Sequence, residues 1–467
     1  LWVKNHSTKC KAKLLNTYDI VKYLFEQEIV RINNVGGGVC YWDLERGVLR
    51  KKETLIELYS EWECPECAEI PTTFIKRWLN DGDKNEFDKM AFYPSDCPEN
   101  VYNTWKGFDC EELPPSKGLS KQEFEATPFF KLLNSLTGGE TDYALKWIAH
   151  LFKNPGEKPR TALIFRGSQG DGKGAFCYAV SKLMGNALYY ETSNMRDIFG
   201  THSLAFENRK LVVLNEADMA YCKSNSRELK GCITDVSKTV QPKYIQPYDI
   251  RNLAGVIFTS NDPVVVLIEA DDRRYCVYHT DGEFNNKQKW FAEFFKFIDD
   301  PSNQRKLYDY LLTVDCDVDW VEDRYVADAY FDMKQRCLPK VIKWLEHLIV
   351  DDFPSKFNRP VENWELLHHY NEYCGEKLSP EAFGLRMKSL FDSPHQINEN
   401  CDALVKGRSS RGVVWSFNRQ NCFTWLKDKK YTMSKSLEPE LTCYNKFGRC
   451  DCEQCKRHAN TAELYQI

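Results

Sequence analysis

Five short apolar runs stand out between residues 161 and 280: Ala162–Arg166, Leu188–Glu191, Leu211–Asn215, Ala254–Thr259 and Arg274–His279. Each is apolar at nearly every position, the pattern of a strand buried on both faces. Helical or irregular segments separate them, so they predict a mostly parallel sheet flanked by helices, an α/β core. Elsewhere the period is helical. Asp19 to Arg31 sets Ile20, Val21, Tyr23, Leu24, Ile29 and Val30 on one stripe. Gly36-Gly37-Gly38 breaks it, and Val39 to Trp42 reads as a strand. Phe129 to Phe152 is helical apart from Gly138-Gly139, as are Lys289 to Leu312 and Arg324 to Gln335.

Ser379-Pro380-Glu381 is a helix start, with Ser at the cap, Pro in the first turn and an acid after it. That helix is predicted to run to Phe391 with Phe383, Met387 and Leu390 inward. Ala403-Leu404-Val405 and Val413-Val414-Trp415 then flank the basic stretch Lys406 to Gly412. A helix followed by a hairpin with a basic tip is a winged-helix pattern. The predicted organisation is therefore an α-rich accessory or collar region over 1–125 and the α/β core with its helical lead-in over 126–285. A helical lid follows over 286–340, a winged-helix-like α+β DNA-binding domain over 341–430, and a basic Cys-rich tail over 431–467. Pro114 to Gly118 reads as a linker.

Composition adds exclusions. At 467 residues the chain can bury several cores, and 42% hydrophobic with 13% aromatic content excludes disorder. No run of 18 apolar residues exists to cross a membrane, and no signal peptide is present, so a secreted or membrane protein is not expected. Because the chain opens at Leu1 rather than Met, it reads as part of something longer. A formal charge of −5 argues against a uniformly basic nucleic-acid coat, yet residues 401–460 hold 12 Lys+Arg against 6 Asp+Glu, a local +6. The basic balance is concentrated around the predicted hairpin. There Lys406, Arg408 and Arg411 are candidate DNA contacts.

The strongest chemical motif is Gly167-Ser168-Gln169-Gly170-Asp171-Gly172-Lys173-Gly174, directly after the first strand of the core. Its glycines let backbone N–H groups curl around an anion, the following helix adds its positive end, and Lys173 reaches phosphate oxygens. Gly174 stands where Ser or Thr ordinarily ligates Mg²⁺, and Ala175 offers no hydroxyl. Leu211 to Asp218 is a strand ending in acids, where Glu216 holds the position of a base that polarises water. Its first polar position is Asn215, a neutral metal ligand. Val256 to Pro263 places Asn261 at a third strand end, able to orient water or touch a phosphate. Asp272-Arg273-Arg274 then supplies a guanidinium that reaches a neighbouring subunit's phosphate or pairs locally.

These four elements, in this order, resemble superfamily 3 helicases of the AAA+ class, especially the helicase parts of phage and viral primase-helicases. The resemblance is specific over about residues 160–280. It implies an AAA+ P-loop core, ATP and Mg²⁺ as cofactors, a homo-hexameric ring and 3′-to-5′ movement on single-stranded or forked DNA. It also implies a channel hairpin, for which Thr239 to Ile245 fits with Lys243 at the DNA-gripping place. Tyr102 to Phe108 is similar to a segment preceding this module. On this reading one subunit supplies Lys173, Glu216 and Asn261, and its neighbour Arg273 or Arg274.

Cys443, Cys450, Cys452, Cys455 and His458 crowd the tail and could hold Zn²⁺, with free thiols the alternative. Cys64-Pro65-Glu66-Cys67 is half a zinc knuckle. No primase or polymerase carboxylate constellation is evident. The leading expectation is an ATP-dependent helicase, an ATP hydrolase of phage, viral or plasmid replication in the host cytoplasm or a viral replication site. The alternatives are a nucleotide-dependent DNA-binding or assembly factor that hydrolyses poorly, and a small-molecule kinase suggested only by Gly172-Lys173-Gly174.

Overall fold

A computed structural model describes residues 17–62, 73–217, 219–269, 272–349, 361–388, 390, 404–409 and 412–428. The chain begins with α1 (Thr17–Phe25), the strands β1 (Ile29–Val35), β2 (Gly38–Asp43) and β3 (Val48–Arg50), and the helices α2 (Lys52–Leu58) and α3 (Phe74–Asn80). The strand β4 (Glu86–Phe87) completes a sheet of order β3-β2-β1-β4, with β4 parallel to β1. Ile29 and Tyr41 pack from one face against Phe25, Leu55, Phe74 and Trp78 of the helices. Val30, Ile32 and Cys40 pack from the other face. The region is therefore mixed rather than α-rich. The helix expected over 19–31 stops at Phe25, because β-branched Ile29, Val30 and Ile32 fill two cores from alternate faces of a strand.

Strands β5 (Lys89–Ala91) and β6 (Val101–Asn103) form a parallel pair, and a 3₁₀ turn follows at Asp109–Glu112. The expected linker is pinned instead. Ser116 donates from its backbone N–H and its hydroxyl to Asp309, at 3.0 and 2.7 Å. Ser120 and Glu123 form a reciprocal capping box at the start of α4 (Lys121–Ala126), and α5 (Pro128–Leu136) and α6 (Asp142–Lys153) follow.

The central sheet comes next. Its elements run β7 (Ala162–Arg166), α7 (Lys173–Met184), β8 (Tyr189–Thr192), α8 (Arg196–Phe199), β9 (Leu211–Asn215), α9 (Met219–Ser224), α10 (Ser226–Thr234), β10 (Ser237–Val240), β11 (Tyr248–Arg251), β12 (Gly255–Ser260) and β13 (Tyr275–His279). Five of these strands form a wholly parallel sheet of order β13-β7-β12-β9-β8. Alternate residues enter opposite cores. Leu163, Phe165, Val213 and Ile257 meet one layer of helices, while Ile164, Val212, Leu214 and Phe258 meet the other. With both faces covered along most of the sheet, polar residues are confined largely to the strand ends, which is why the five runs read so cleanly. Each such fully buried side chain contributes about 1.5–3 kcal/mol. Gly255 is required where β12 passes α6, since a Cβ there would lie 2.6 Å from the Trp147 ring.

The expected helix over 289–312 is two, α11 (Gln288–Ile298) and α12 (Pro301–Thr313). Asp300 caps the second, its carboxylate accepting from the Ser302 N–H, and Pro301 occupies the first turn. The next helix, α13 (Asp328–Cys337), starts four residues later than expected. Beyond it lies a second core, built from α14 (Lys340–His347), β14 (Val361–Glu362), helices Asn363–Cys374 and Pro380–Lys388, β15 (Leu404–Ser409), β16 (Gly412–Phe417) and a helix at Arg419–Asp428. The hairpin β15–β16 forms, with β14 added in the order β14-β16-β15, but most of the basic stretch expected at its tip is strand, since β15 runs on through Lys406 and Arg408 to Ser409. Ser379 caps its helix by accepting from the Ala382 N–H at 3.2 Å. That helix is described to Lys388; Phe391 lies outside the described residues. The chain is thus a mixed α/β protein organised on a parallel sheet.

Candidate functional site

At the C-terminal end of β7 the chain turns through residues 167–172 into α7. Gly170 and Gly172 adopt φ of +88° and +92°, backbone that L side chains rarely take. A Cβ on Gly167 would lie 1.9 Å from Thr280 Oγ1, and one on Gly172 would lie 2.7 Å from Leu132 and 2.9 Å from the Phe291 ring. The loop is therefore clamped from both sides. Asp171, 2% exposed, anchors it by accepting from the Thr280 hydroxyl at 2.5 Å and from Asn285 Nδ2 at 2.9 Å.

Lys173 folds back into the loop. Its ammonium donates to the carbonyls of Gly167 (3.0 Å) and Ser168 (2.8 Å) and to Asn261 Oδ1 (2.9 Å). Burial lowers its pKa from the ordinary lysine value, opposed by the nearby charges of Asp171 and Glu216. The ammonium is thus held by neutral oxygens that a stronger anion can replace. Glu216 follows β9 with φ of +51° and lines the same cleft of about 320 Å³, with Gly172, Asn261, Phe291 and Phe295. Asn215 is committed to local bonds. Its Oδ1 accepts from Thr259 Oγ1 at 2.6 Å, and its Nδ2 donates to Glu191 at 3.2 Å.

The structure brings Gly167 to Gly174, Glu216 and Asn261 together, as the sequence predicts. Arg273 and Arg274 are not part of this cluster. In the parallel register Tyr275 is level with Ala162 and His279 with Arg166, so the arginines sit at the opposite strand ends, ~15 Å from the loop of their own chain. Arg274 pairs with Asp272 at 3.3 Å and Arg273 is exposed. Lys243 lies on the turn between β10 and β11, exposed beside Tyr244, which is 85% exposed with φ of +68°. Ile245 and Tyr248 of this hairpin pack on the outer face of β1–β2. Lys406 is exposed on β15, its Nζ 5.8 Å from the Trp415 ring centre. Arg408 is on the same strand. Arg411, Asp218, Cys64, Cys67, Cys443, Cys450, Cys452, Cys455 and His458 lie outside the described residues.

Sequence reasoning missed the residues that clamp the loop. Thr280 and Asn285 lie more than 100 residues from Asp171, and Phe291 and Phe295 read only as a helix stripe. It also missed Lys158 and Lys210, buried cations whose ammonium groups donate to backbone carbonyls and whose pKa values burial pushes down to about 7. As for metal, Gly174 has no side chain, Asn215 is neutral and engaged, and among the described residues Glu216 is the acid that follows β9. The cleft does not fit a protein-held Mg²⁺. Among the described residues no group of three or more His, Cys, Asp or Glu is placed to hold a metal ion. No described helix is long and apolar enough to cross a membrane.

Residues 165–274 match the model of a family of unknown function, DUF5906. The chain is 28% identical over 297 residues to the DNA primase-polymerase of Nitratiruptor phage NrS-1, a match covering 58% of this chain and 40% of that protein. The chain thus corresponds to less than half the length of this relative. Two solved apo structures of the NrS-1 C-terminal region superpose with TM-score 0.59 at 17% identity. They cover 85% of this chain and 97% and 98% of theirs, a likeness of fold.

These findings overturn the expectation of an ATP-dependent helicase and ATP hydrolase. The relative is a DNA primase-polymerase, a protein named for making primers and DNA rather than for driving unwinding with ATP. The cleft agrees, since Gly174 and Asn215 remove the hydroxyl and the carboxylate on which a hydrolytic metal site depends. The reading of the loop as the ATP-fuelled P-loop of a helicase falls with that function.

Proposed function

We propose that this chain serves phage DNA replication as a nucleotide- and DNA-binding part of a primase-polymerase-type protein. The cleft at Lys173 would take the triphosphate tail of a nucleoside triphosphate, a substrate of primer and DNA synthesis. The observation that carries this is the position of the Lys173 ammonium, held inside a glycine-rich loop at the end of a parallel sheet by replaceable neutral oxygens. An entering triphosphate would take over that ammonium and meet the first N–H groups of α7, while Asn261 keeps the lysine in place. Mg²⁺ would enter already bound to the phosphates as their counter-ion.

Exposed Lys243, Tyr244 and Lys406 support contact with single-stranded DNA by phosphate attraction and stacking. Arg273 and Arg274 would meet a bound phosphate only on a neighbouring copy, so a homo-oligomer belongs to the same reading. So does the finer fold assignment, an AAA+-type core with a winged-helix-like unit, which the order β13-β7-β12-β9-β8 and the β14-β16-β15 sheet on its helices support. Zn²⁺ at the tail cysteines and action in the host cytoplasm complete the proposal. The test is co-binding of a labelled nucleoside triphosphate and a single-stranded oligonucleotide. Lys173→Ala should abolish the first and spare the second; nucleotide binding that ignores Lys173 would refute the reading.

A further inference from the structure

The cleft is lined by two chemically different sets of groups. One is the glycine-rich loop with Lys173 and Asn261. The other is a pair of rings on α11, Phe291 and Phe295, one helical turn apart. Their situations differ. Phe291 is packed against the loop itself, its ring 2.9 Å from where a Cβ on Gly172 would stand. Phe295 is the outer ring, 37% exposed although aromatic, with Tyr178 and Phe294 edge-on at 5.4 and 5.6 Å. Those T-shaped contacts hold the ring while more than a third of it stays exposed. Apart from Lys173 at the start of α7, the polar side chains of the cleft, Gln169, Asp171, Asn215, Glu216, Ser260 and Asn261, belong to the loop or to strand ends.

We infer that Phe295 is the stacking surface for the nucleobase of a nucleoside triphosphate whose phosphates lie in the loop. This inference rests on the triphosphate reading above and deepens it. An aromatic face attracts every base, and the two α11 rings that line the cleft, Phe291 and Phe295, carry no hydrogen-bonding group to read a base edge. The site therefore takes purine and pyrimidine nucleoside triphosphates alike, the behaviour required of a part that serves template-directed synthesis, where the template makes the choice.

The experiment is titration of the chain with inorganic tripolyphosphate and with each of four nucleoside triphosphates, in wild type, Phe295→Ala, Phe295→Trp and Lys173→Ala. Phe295→Ala should weaken all four nucleotides by roughly 5- to 100-fold, as expected for loss of one stacked base, and leave tripolyphosphate unchanged. Phe295→Trp should restore nucleotide binding. A strong preference among the four bases, an equal loss of tripolyphosphate in Phe295→Ala, or no loss of nucleotide would each overturn the inference. Lys173→Ala separates the two readings. If it leaves tripolyphosphate binding intact, the triphosphate reading itself fails, whatever Phe295 does.

Discussion

Lys173 Nζ donates to Asn261 Oδ1 at 2.9 Å, joining the start of α7 to the end of β12 across 88 residues of sequence. The bond matters because Lys173 is only 8% exposed and has no carboxylate in hydrogen-bond contact; its partners are neutral. Removing Asn261 leaves the ammonium with two carbonyls. Asn261→Ala should therefore weaken triphosphate binding by about tenfold, one charge-assisted hydrogen bond. Lys173→Ala should weaken it further. Calorimetric titration of both variants checks the order.

Binding should also depend on pH in a defined direction. Burial lowers the Lys173 pKa, so its ammonium is lost below the ordinary lysine value of 10.5. Triphosphate affinity should fall on the alkaline side, beginning before a surface lysine would deprotonate. Lys173→Arg, which stays charged, should lose that alkaline fall whatever its affinity. Affinity measured across pH 7 to 10 in both proteins decides it.

Lys158 and Lys210 predict a second pH effect, on stability. Their folded values near 7 lie below the unfolded 10.5, so between these limits the unfolded chain binds more protons. The cost of burying the charges is fully present below pH 7 and is relieved as pH rises. Stability should increase from pH 7 to about 8.5, by at most about 1.4 kcal/mol per pH unit for each lysine. At higher pH buried thiols such as Cys276, pushed up to about 12, reverse the trend because only the unfolded thiol ionises. Denaturant melts of wild type and Lys210→Met across this window test it; the variant should show the smaller slope.

The hairpin turn should affect DNA and nothing else. Lys243 is exposed, so Lys243→Ala should leave the melting temperature unchanged. It should weaken single-stranded DNA binding and reduce the slope of log affinity against log salt by about 0.7. Tyr244→Ala should cost about 5- to 100-fold in the same assay through lost stacking, with the salt slope kept.

Most of the central sheet was legible because burial on both faces leaves few polar positions, mainly at strand ends, to blur a strand. Leu211–Asn215 and Ala162–Arg166 match to the residue. The loop was legible for the same reason in reverse, since glycines at 170 and 172 mark backbone that L side chains rarely adopt and Gly167 a close approach that a Cβ would block. What failed was periodicity without length. Residues 19–31 carry a helical stripe, yet Ile29 and Val30 serve two different cores as a strand. Asp300-Pro301 signalled a new helix start inside an apparently continuous helix and was passed over. Function was misread because strand ends with acids and arginines suggest a hydrolytic motor by order alone. The weight belonged to the two positions that depart from it, Gly174 and Asn215.

The most direct test of the central claim is equilibrium binding of a fluorescent nucleoside triphosphate to the wild-type chain and to Lys173→Ala. The account predicts saturable binding by the wild type, competed by tripolyphosphate and lost in the variant. Binding of equal strength in both proteins, or none in either, would contradict it.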